Sequence, residues 1–581
     1  MRRTAKLPVI QGGNVSSRKY AIGVDFGTES GRALLVDVAN GQELATAVHP
    51  YANGVIDEHL PNTNIRLEPD WALQDPNDYL EVFKHAIPAV LQASGVDPAD
   101  VIGLGIDFTS CTILPTKADG TPLCFLPELR NQPHAWVKLW KHHAAQPEAN
   151  KLNQIARDQG YTFLERYGGK ISSEWFFPKA WQILDEAPKV YAAADRILEA
   201  TDWAVWQLTS VETRNECTAG YKALWSQREG FPPDAFFKAL DPRLEHIVDE
   251  KMSRKLIPLG SKAGGLSGAA AQWTGLKAGT AVAAANVDAH VVVPAAGVLG
   301  PEQMVIIMGT SNCHMLLGAE SREVPGVCGV VQNGIIPGFP GYEAGQACVG
   351  DSFAWFVEQC VPAAYAQEAE ARGVNIHQLL EEKAARLQPG ENGLLAIDWW
   401  NGNRTILVDA DLTGMMLGMT LATKPEEMYR AMLESTAYGT RIIIDNFAAN
   451  GVAVKEIVAA GGLPERNKLL MQIYADVTGL PIHRMGTTLG GAFGSAMHGA
   501  VAAGPTVGGY DSIFAATEHM APPHAEEFTP RPPQQTIYEQ LYREYVTLHD
   551  YFGRGANDVM KHLKQLREAA LTGNATERYH A

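Results

Sequence analysis

The sequence lacks any apolar run of about eighteen residues, the length that a membrane-spanning helix requires. Its longest apolar stretch, AVAAANVDAHVVVPAAGVL, is interrupted by Asn286, Asp288 and His290. The N-terminal segment MRRTAKLPVIQGGNVSSRKY contains two arginines but no apolar core of a secretory signal. We therefore expect a cytoplasmic protein that uses no membrane, and we expect residues 1–19 to form a disordered tail.

Two further shortages restrict the class of protein. The seven cysteines are odd in number and widely spaced, and no C-x-x-C pair occurs. This pattern argues against a disulfide framework or a structural zinc site. Basic residues are also scarce, since 48 Lys and Arg face 65 Asp and Glu, for a formal net charge of −17. This balance predicts no nucleic-acid partner. It leaves a phosphorylated ligand open, because such a ligand needs only local donors.

The familiar nucleotide-binding motifs are missing as well. There is no G-x-x-x-x-G-K-[ST] loop, and no G-x-G-x-x-G opens a helix after a strand. If the protein binds a nucleotide, its phosphates must be held by another kind of loop.

What the sequence does contain is a repeated strand–turn–strand pattern. It occurs in YAIGVDFGTESGRALLVD at residues 20–37, where an Asn40-Gly41 turn then predicts a third strand. It recurs in MVIIMGTSNCHMLLGA at 304–319, and we interpret VIGLGIDFTSCTILPTKADGTPL at 101–123 as a third version. One such element near the start of each half predicts two related domains that touch across a cleft.

Helical patterns alternate with these strands. We expect a helix between Asp75-Pro76 and Gly95, a long one beginning at Pro425, one following the glycines at 461–462, and a last one at about 536–550. Strands mixed with long helices predict an α/β fold.

The two glycine-containing turns are candidates for binding phosphate. Backbone N–H groups of tight turns can form anion-binding nests, and the turns at 27–31 and 309–312 are rich in Gly, Ser and Thr. Asp25 could hold Mg²⁺, which takes only one or two protein carboxylates, and Arg32 could neutralise a transferring phosphoryl group. The alternative is that both are ordinary hairpin turns; their occurrence as a pair favours phosphate binding.

Asp288 is a second notable acid because its surroundings are almost entirely apolar. An unpaired carboxylate is costly in such a place. It could be the N-cap of a helix over residues 289–297, or a general base that takes a proton from an attacking hydroxyl. The sequence leaves both interpretations open.

Other stretches suggest a ligand pocket. Gly461 and Gly462, in AAGGLPERNKLLMQ, would let an adenine and ribose lie against the backbone, although glycines also serve ordinary strand–helix loops. Polyhydroxylated ligands need paired donors and acceptors, which Lys222, Glu343, Gln346 and Asn401 could supply.

Together these motifs resemble the FGGY carbohydrate kinases of the actin/Hsp70/sugar-kinase superfamily. The resemblance rests on GVDFGTESGR, MGTSNC, AAGGLPERN and LGGAFGSAM, and on pocket stretches such as CTAGYKALW, NVDAHVVVPAAGV, GYEAGQACVGDSFAWF and LLAIDWWNGNRT. It covers about residues 20–562. It implies two ribonuclease-H-like domains flanking a catalytic cleft. Residues 20–296 are implied to bind most of the sugar and to carry the catalytic base, and residues 297–562 are implied to bind most of the ATP. We expect residues 563–581 to form a polar tail.

The resemblance also implies roles for individual residues. Asp288 is the catalytic base, and Asp25 lies near Mg²⁺. The residues implied to contact the nucleotide are Thr28, Arg32, Gly309, Thr310, Gly461, Gly462 and Asn467. The residues implied to contact the sugar are Ser110, Trp140, Lys222, Asp288 and Glu343. Ser110 stands where a related enzyme has alanine, so its hydroxyl could adjust which sugar fits.

The implied activity is transfer of the ATP γ-phosphate to a terminal hydroxyl of a ketopentose. The stretches 217–225 and 341–346 favour a ribulose, with xylulose, ribitol and glycerol as alternatives. A non-catalytic sugar or nucleotide sensor and an Hsp70-like ATPase are rivals from other classes. The partners expected are ATP, Mg²⁺ and a small-molecule ketopentose, and a homodimer is left open.

Overall fold

The computed structural model describes residues 18–571 of the 581-residue chain. Most of the predicted N-terminal tail therefore lies outside the described residues. Lys19, at its end, is held by an ion pair in which Nζ lies 2.8 Å from Asp100 Oδ1. The part of the predicted polar tail that is described, up to residue 571, is helical.

The strands are numbered in chain order. They are β1 Tyr20–Phe26, β2 Ser30–Asp37, β3 Glu43–Pro50, β4 Leu73–Gln74, β5 Val101–Phe108, β6 Ile113–Thr116, β7 Val137–Lys138, β8 Arg196–Glu199, β9 Lys262–Gly265, β10 Ala281–Ala283, β11 Asn286–Val287, β12 Glu302–Met308, β13 Asn312–Leu317, β14 Gly329–Gln332, β15 Pro340–Gln346, β16 Leu395–Ile397, β17 Met415–Leu417, β18 Val454–Ala460, β19 Ile482–Arg484 and β20 Glu526–Phe528.

The α-helices follow the same convention. They are α1 Pro76–Ser94, α2 Gln146–Asp158, α3 Phe176–Glu186, α4 Pro188–Ala193, α5 Ala200–Thr209, α6 Glu216–Lys222, α7 Asp234–Leu240, α8 Ile247–Lys251, α9 Gly268–Thr274, α10 Asp288–Ala295, α11 Gly350–Cys360, α12 Ala363–Arg372, α13 Ile376–Ala384, α14 Pro425–Ala449, α15 Gly462–Arg466, α16 Lys468–Thr478, α17 Gly490–Ala503, α18 Ile513–Met520, α19 Pro532–Gly553 and α20 Val559–Leu571. None of these helices is long and apolar enough to cross a membrane, among the residues that the structure describes.

Two seven-stranded sheets form the framework, and they share a strand order. The first runs β3-β2-β1-β5-β10-β9, with β11 also beside β5, and the second runs β14-β15-β13-β12-β18-β19-β20. In each sheet an antiparallel hairpin (β1–β2, or β12–β13) is followed by a strand parallel to its first member (β5, or β18). The predicted α/β fold of two related domains is confirmed. The boundary at residues 296 and 297 stays a prediction.

A shared apolar core joins the two sheets. It combines side chains of the first sheet, such as Leu34 and Val36, with side chains of the second, such as Val305 and Met315. Helices α10 and α17 pack against each other within this core. The first sheet packs its other face against α1, α5 and α9, and the second packs against α14, α16 and α19. The boundary between the two sheets is therefore well packed.

Helix α17 crosses from the second half of the chain to the first sheet, where it packs on β1 and β5. Glycines make this close approach possible. A Cβ at Gly23 would lie 1.7 Å from the carbonyl oxygen of Ala492, and one at Gly105 would lie 1.8 Å from that of Ser495. Only residues without a side chain allow the helix backbone to lie so close to the strands.

The predicted strand–turn–strand unit at residues 101–123 is wrong in one respect, the pairing of its two strands. Residues 101–123 do not form a hairpin within one sheet, because β5 belongs to the first sheet and β6 to a separate sheet of order β4-β7-β6-β8. Between them Cys111 has a φ of 62°, a left-handed conformation that turns the chain out of the first sheet. The small sheet packs on an aromatic core that includes Trp136, Trp175 and Trp181.

Candidate active site

The first glycine turn, between β1 and β2, is held by its own backbone. The N–H of Gly27 donates to the carbonyl of Ser30 at 3.0 Å, and the Tyr51 hydroxyl donates to the Gly27 carbonyl at 3.0 Å. The N–H groups of Thr28 and Glu29 have no hydrogen-bond partner in the described part of the chain. These donors are free to bind an anion.

Trp140 and Gln74 fix the outer side of this turn. Gln74 Nε2 donates to the Thr28 carbonyl at 2.7 Å, and the Trp140 indole N–H donates to Thr28 Oγ1 at 3.0 Å. The structure therefore places Trp140, a predicted sugar contact, directly against Thr28, a predicted phosphate contact. No sequence pattern indicates that these two side chains touch.

The second glycine turn, between β12 and β13, is also closed by its glycine N–H but is one residue shorter. The N–H of Gly309 donates to the Ser311 carbonyl at 2.9 Å. The start of α11 holds the turn from behind, because Gly350 N–H donates to the Gly309 carbonyl at 3.0 Å and Val349 N–H donates to the Thr310 carbonyl at 2.8 Å. Gly309 and Thr310 are exposed. Both turns thus have backbone that the rest of the described chain does not cover or pair.

Asp25 lies in a cluster with one cation and a second acid. It is the direct cross-strand partner of Arg32 on β2 and of Asp107 on β5. Burial raises the pKa of Asp25, while its interaction with the neighbouring Asp107 and the Arg32 charge lower it in part. Burial, together with the charge of Asp25, holds the pKa of Asp107 well above its usual value.

Asp107 is the functional candidate that the sequence interpretation missed. It is fully buried; Oδ2 accepts the Ser495 hydroxyl of α17 at 2.6 Å, and Oδ1 has no partner among the described residues. A Cβ at Gly491 would lie 3.2 Å from Asp25 Cγ and 3.4 Å from Asp107 Oδ1, so the start of α17 covers both acids. A signal was present, because GVDF at 23–26 recurs as GIDF at 105–108.

Asp288 begins α10 at the end of β11. Its neighbours on that strand, Asn286 and Val287, pair with Asp107 and Phe108, so Asp288 lies beyond the end of β5. Oδ1 accepts the N–H of Ala289 at 2.7 Å. The carboxylate therefore does bond the start of a helix, but from its first residue rather than from the N-cap, which is Val287. Burial raises the pKa of Asp288 to about 7, and the charge of Asp25 adds to this shift.

Lys222 and Glu343 form an ion pair between the two halves of the chain. Lys222 Nζ, at the end of α6, lies 2.8 and 2.9 Å from the two carboxylate oxygens of Glu343 on β15. Burial would raise the pKa of Glu343, but the Lys222 charge and a contact with His290 hold it well below its usual value. The pKa of Lys222 is in turn raised by Glu343 despite burial. Both groups are therefore charged at neutral pH.

Ser110 lies on the same side as this pair. It follows β5 and is half-buried, and its neighbour Cys111 lies 3.8 Å away, measured from Sγ to Ser110 Oγ. The Lys222 charge acts on the Cys111 thiol, whose pKa burial raises to about 12. Ser110, Lys222, Asp288 and Glu343 thus come from four separate chain segments to one region.

The predicted adenosine contacts lie beside the second turn. Gly461 has a φ of 94°, and a Cβ there would lie 2.5 Å from the carbonyl oxygen of Met308, so glycine is required. Gly462 begins α15. Asn467 caps α16, since its Oδ1 accepts the N–H of Leu470 at 2.8 Å. This cap uses the side-chain oxygen and leaves the predicted nucleotide contact to its amide nitrogen.

Two polar residues suggested for the pocket lie elsewhere. Gln346 is buried in a network, where Nε2 donates to Asp398 Oδ2 at 2.8 Å and Oε1 accepts from Asn312 at 3.0 Å. Asn401 is exposed. Within residues 18–571 no group of three or more His, Cys, Asp or Glu side chains is arranged to hold a metal ion.

Comparison with known sequences defines the class of protein. The FGGY family of carbohydrate kinases matches through its N-terminal domain at residues 20–293 and through its C-terminal domain at 304–503. The chain belongs to this family and is an ATP-dependent carbohydrate kinase.

Its relatives within the family are more specific. The chain is 60% identical to the ribulokinase of Halalkalibacterium halodurans over 549 residues, which are 94% of this chain and 98% of that protein. It is 60% identical to the ribulokinase of Geobacillus thermodenitrificans over 95% of this chain and 98% of that protein. It is 51% identical to the ribulokinase of Mycolicibacterium smegmatis over 95% and 97%.

Solved structures share the fold at lower identity. The xylulose kinase of Rhodospirillum rubrum superposes with a TM-score of 0.74 at 21% identity, covering 91% of this chain and 98% of that one. A ligand-bound xylulose kinase of Lactobacillus acidophilus superposes with a TM-score of 0.75 at 16% identity, covering 92% and 99%. At these identities the likeness supports the fold alone.

Proposed function

We propose that this chain is a ribulokinase that acts in the cytoplasm, in L-arabinose catabolism. It transfers the γ-phosphate of ATP to the 5-hydroxyl of L-ribulose and releases L-ribulose 5-phosphate and ADP. The observation that carries this proposal is the position of Asp288, a base with a pKa of about 7 between the paired turns and the Lys222–Glu343 pair. Relatives that are 51–60% identical over nearly the whole chain and bear the name ribulokinase support the choice of sugar.

Asp288 is the proposed general base. A carboxylate whose pKa is close to neutral can both exist in its ionised form and accept a proton as the sugar oxygen attacks phosphorus. Its bond to the N–H of Ala289 orients the carboxyl group and leaves Oδ2 for the hydroxyl. Since phosphoryl transfer involves little covalent chemistry by the protein, positioning and electrostatics supply most of the acceleration.

The turns and Arg32 are the proposed phosphate contacts. The free N–H groups beside Gly27 and the exposed turn at Gly309 and Thr310 are proposed to bind one triphosphate together. Arg32 neutralises charge on the transferring group. The adenosine lies against Gly461, Gly462 and Asn467 beside the second turn.

Asp25 and Asp107 fit a magnesium ion. Two carboxylates side by side in a buried place, one with an oxygen that has no partner in the described chain, match the hard oxygen ligands that Mg²⁺ prefers. When bound, the ion would neutralise charge on the β- and γ-phosphates. Asp25 and Asp107 would hold it or its waters, while Arg32 limits the negative charge of the cluster.

The sugar pocket is formed by Ser110, Lys222 and Glu343, with Asp288 at the reacting end. Lys222 donates and Glu343 accepts, which suits a ligand whose hydroxyls do both. Because the pair joins α6 to β15, it also links sugar binding to the relative position of the two halves. Trp140, which donates to Thr28, is proposed to contact the sugar as well.

Phosphorylation rates on a panel of sugars test the proposal. The panel comprises L-ribulose, D-ribulose, D-xylulose, ribitol and glycerol, and ADP release is measured with and without each. We expect the highest kcat/KM with L-ribulose and little ADP release without sugar. A preference for xylulose or glycerol would contradict the choice of substrate. Sugar-independent turnover would instead indicate a chaperone-like ATPase, and no turnover at all would indicate a sensor.

A further inference from the structure

Arg404 is a cation near Glu343 that has no partner of its own. Its side chain is half-buried, and it forms no hydrogen bond or ion pair with any residue that the structure describes. A guanidinium carries five donors in a fixed geometry, and leaving such a group partly buried and unbonded is costly. The absence of a protein partner therefore indicates a place for a ligand.

The backbone around Arg404 is held firmly. Asn403 and Asp409 exchange two backbone hydrogen bonds, of 2.8 and 2.9 Å, and Gly345 N–H donates to Thr405 Oγ1 at 3.1 Å. The side chain of Arg404 lies across Gly345: its Cδ and Nη1 are 3.3 and 3.6 Å from the position that a Cβ of residue 345 would take. The guanidinium is thus positioned by its anchored stem, before any ligand binds.

This position is next to the proposed sugar pocket. Side chains at 343 and 345 lie on the same face of β15, so the guanidinium is beside Glu343, and Cys313 pairs with Gly345 on the neighbouring strand. Burial alone would lower the pKa of Arg404. The charge of Glu174, with smaller contributions from groups that include Glu343, nevertheless raises this pKa above its usual value.

Glu174 belongs to the other half of the chain. It precedes Trp175, whose ring lies 5.6 Å from Lys222 Nζ, so it borders the same pocket. Its carboxylate is also poorly paired, since the only ion pair it forms among the described residues is a distant one, with Oε1 3.7 Å from His143 Nε2. Arg404 and Glu174 therefore lie near enough to interact electrostatically, yet they do not touch.

We propose that Arg404 and Glu174 bind hydroxyl groups of the sugar from opposite sides of the cleft. Arg404 donates to the sugar oxygens and Glu174 accepts from a sugar hydroxyl. A polyol that carries both donors and acceptors can fill the space between a cation and an anion that do not meet. The inference rests on the proposed sugar kinase function, and it adds a sugar contact from the half of the chain to which the sequence assigned ATP.

The test measures sugar binding in the full-length protein without nucleotide. Isothermal titration with L-ribulose is performed on the wild type, Arg404→Gln and Glu174→Gln. Because each change removes hydrogen bonds to a charged group, we expect the Kd for the sugar to rise about 10- to 100-fold in each variant. The Kd for MgATP, titrated separately, should stay within about twofold. Arg322→Gln, which removes an exposed arginine paired with Glu320, is the matched control and should bind sugar normally.

Three results would overturn the inference. The first is an unchanged Kd for the sugar in both variants. The second is weakened MgATP binding with normal sugar binding, which would make Arg404 a phosphate contact. The third is restoration of binding when Arg404→Glu and Glu174→Arg are combined, which would mean that the two groups close the cleft by pairing with each other.

Two further comparisons keep the test decisive. If Arg404→Gln does not fold, Arg404→Lys keeps the charge and the stem but loses the planar fork, and a rise in the sugar Kd of about tenfold is expected. If the wild type prefers another sugar of the panel, the proposed substrate is wrong. The same titrations with that preferred sugar then decide the role of Arg404, and a rise in its Kd would support the inference.

Discussion

The two large sheets have the same strand order but different side chains at corresponding positions. Two residues before the turn glycine, the first sheet has Asp25, which pairs with Arg32 and Asp107. At the equivalent position the second sheet has Ile307, which pairs with Cys313 and Ala460. Two acids and one base in the first sheet thus correspond to an isoleucine, a cysteine and an alanine in the second.

The turns themselves share a glycine donor but differ by one residue in length. Each is closed by a hydrogen bond from the glycine N–H, of 3.0 Å at Gly27 and 2.9 Å at Gly309. A glycine turn with backbone donors for phosphate therefore occurs in both copies of the repeated fold. The charged side chains that would hold a metal and stabilise a transferring phosphoryl group occur only in the first of the two sheets. Four predictions test whether this difference between the two sheets matters for catalysis.

The largest effect is expected at Asp288, the base beside the charged sheet. Asp288→Asn keeps the shape but removes basicity, so kcat should fall about 10²- to 10⁴-fold while the Kd for sugar changes little. Steady-state kinetics and calorimetry measure the two quantities. Asp57→Asn, at an exposed site, is the control. Near-normal kcat in Asp288→Asn would remove its assigned role.

Arg32 and Cys313 occupy corresponding register positions, which makes them a matched pair. Arg32→Gln should lower kcat about 10²-fold, because a positioned cation for the transferring phosphoryl group is lost. Cys313→Ala, in the uncharged sheet, should change kcat by less than about threefold and cost about 1 kcal/mol of stability. Equal losses of kcat in the two variants would show that the charge difference between the sheets has no catalytic meaning.

Gly105 and Gly309 separate stability from ligand binding. In Gly105→Ala the new Cβ would meet the Ser495 carbonyl, so the free energy of unfolding should fall by about 1–3 kcal/mol or more. In Gly309→Ala the nearest atom beyond the adjacent residues, the Ser311 carbonyl oxygen, is 4.0 Å from the Cβ position. Stability should therefore change by less than about 0.5 kcal/mol while the KM for ATP rises. Urea titrations and ATP kinetics measure both. A destabilised Gly309→Ala with normal ATP kinetics would contradict the binding role of the second turn.

The smallest effect is a shift in pH dependence. Because burial raises the pKa of Asp288 to about 7, the base is protonated and inactive below that pH. The value of kcat/KM should therefore fall about tenfold per pH unit on the acid side of pH 7, rather than near pH 4. The residual activity of Asp288→Asn should lack this acid limb. A wild-type profile that stays flat down to pH 5 would show that Asp288 titrates elsewhere.

Local patterns were enough to predict the hairpins, the helix between Asp75 and Gly95, and the α/β class. Apolar or alternating runs bounded by glycine turns predict strands and hairpins, because these structures depend mainly on neighbouring residues. The same reasoning failed at residues 101–123, because a left-handed Cys111 sends the chain to another sheet, and no local pattern announces this.

Long-range placement explains the other omissions. Asp107 reads as one acid in an apolar strand, and only the parallel pairing of β1 with β5 brings it to Asp25. The bond between Trp140 and Thr28 spans 112 residues. Arg404 was part of a recognised stretch, yet its lack of a partner can be seen only once every neighbour is in place.

The position of α17 has a consequence for how the protein is made. A nascent chain completes β1 and β5 by residue 108, but the helix that covers them is residues 490–503. On the ribosome, the glycine-lined face of the first sheet must therefore wait, uncovered, for almost the whole polypeptide to be synthesised. Asp25 and Asp107, near the carboxyl ends of these two central strands, are covered only when translation is nearly finished. A prematurely terminated product therefore cannot assemble a working phosphotransfer centre.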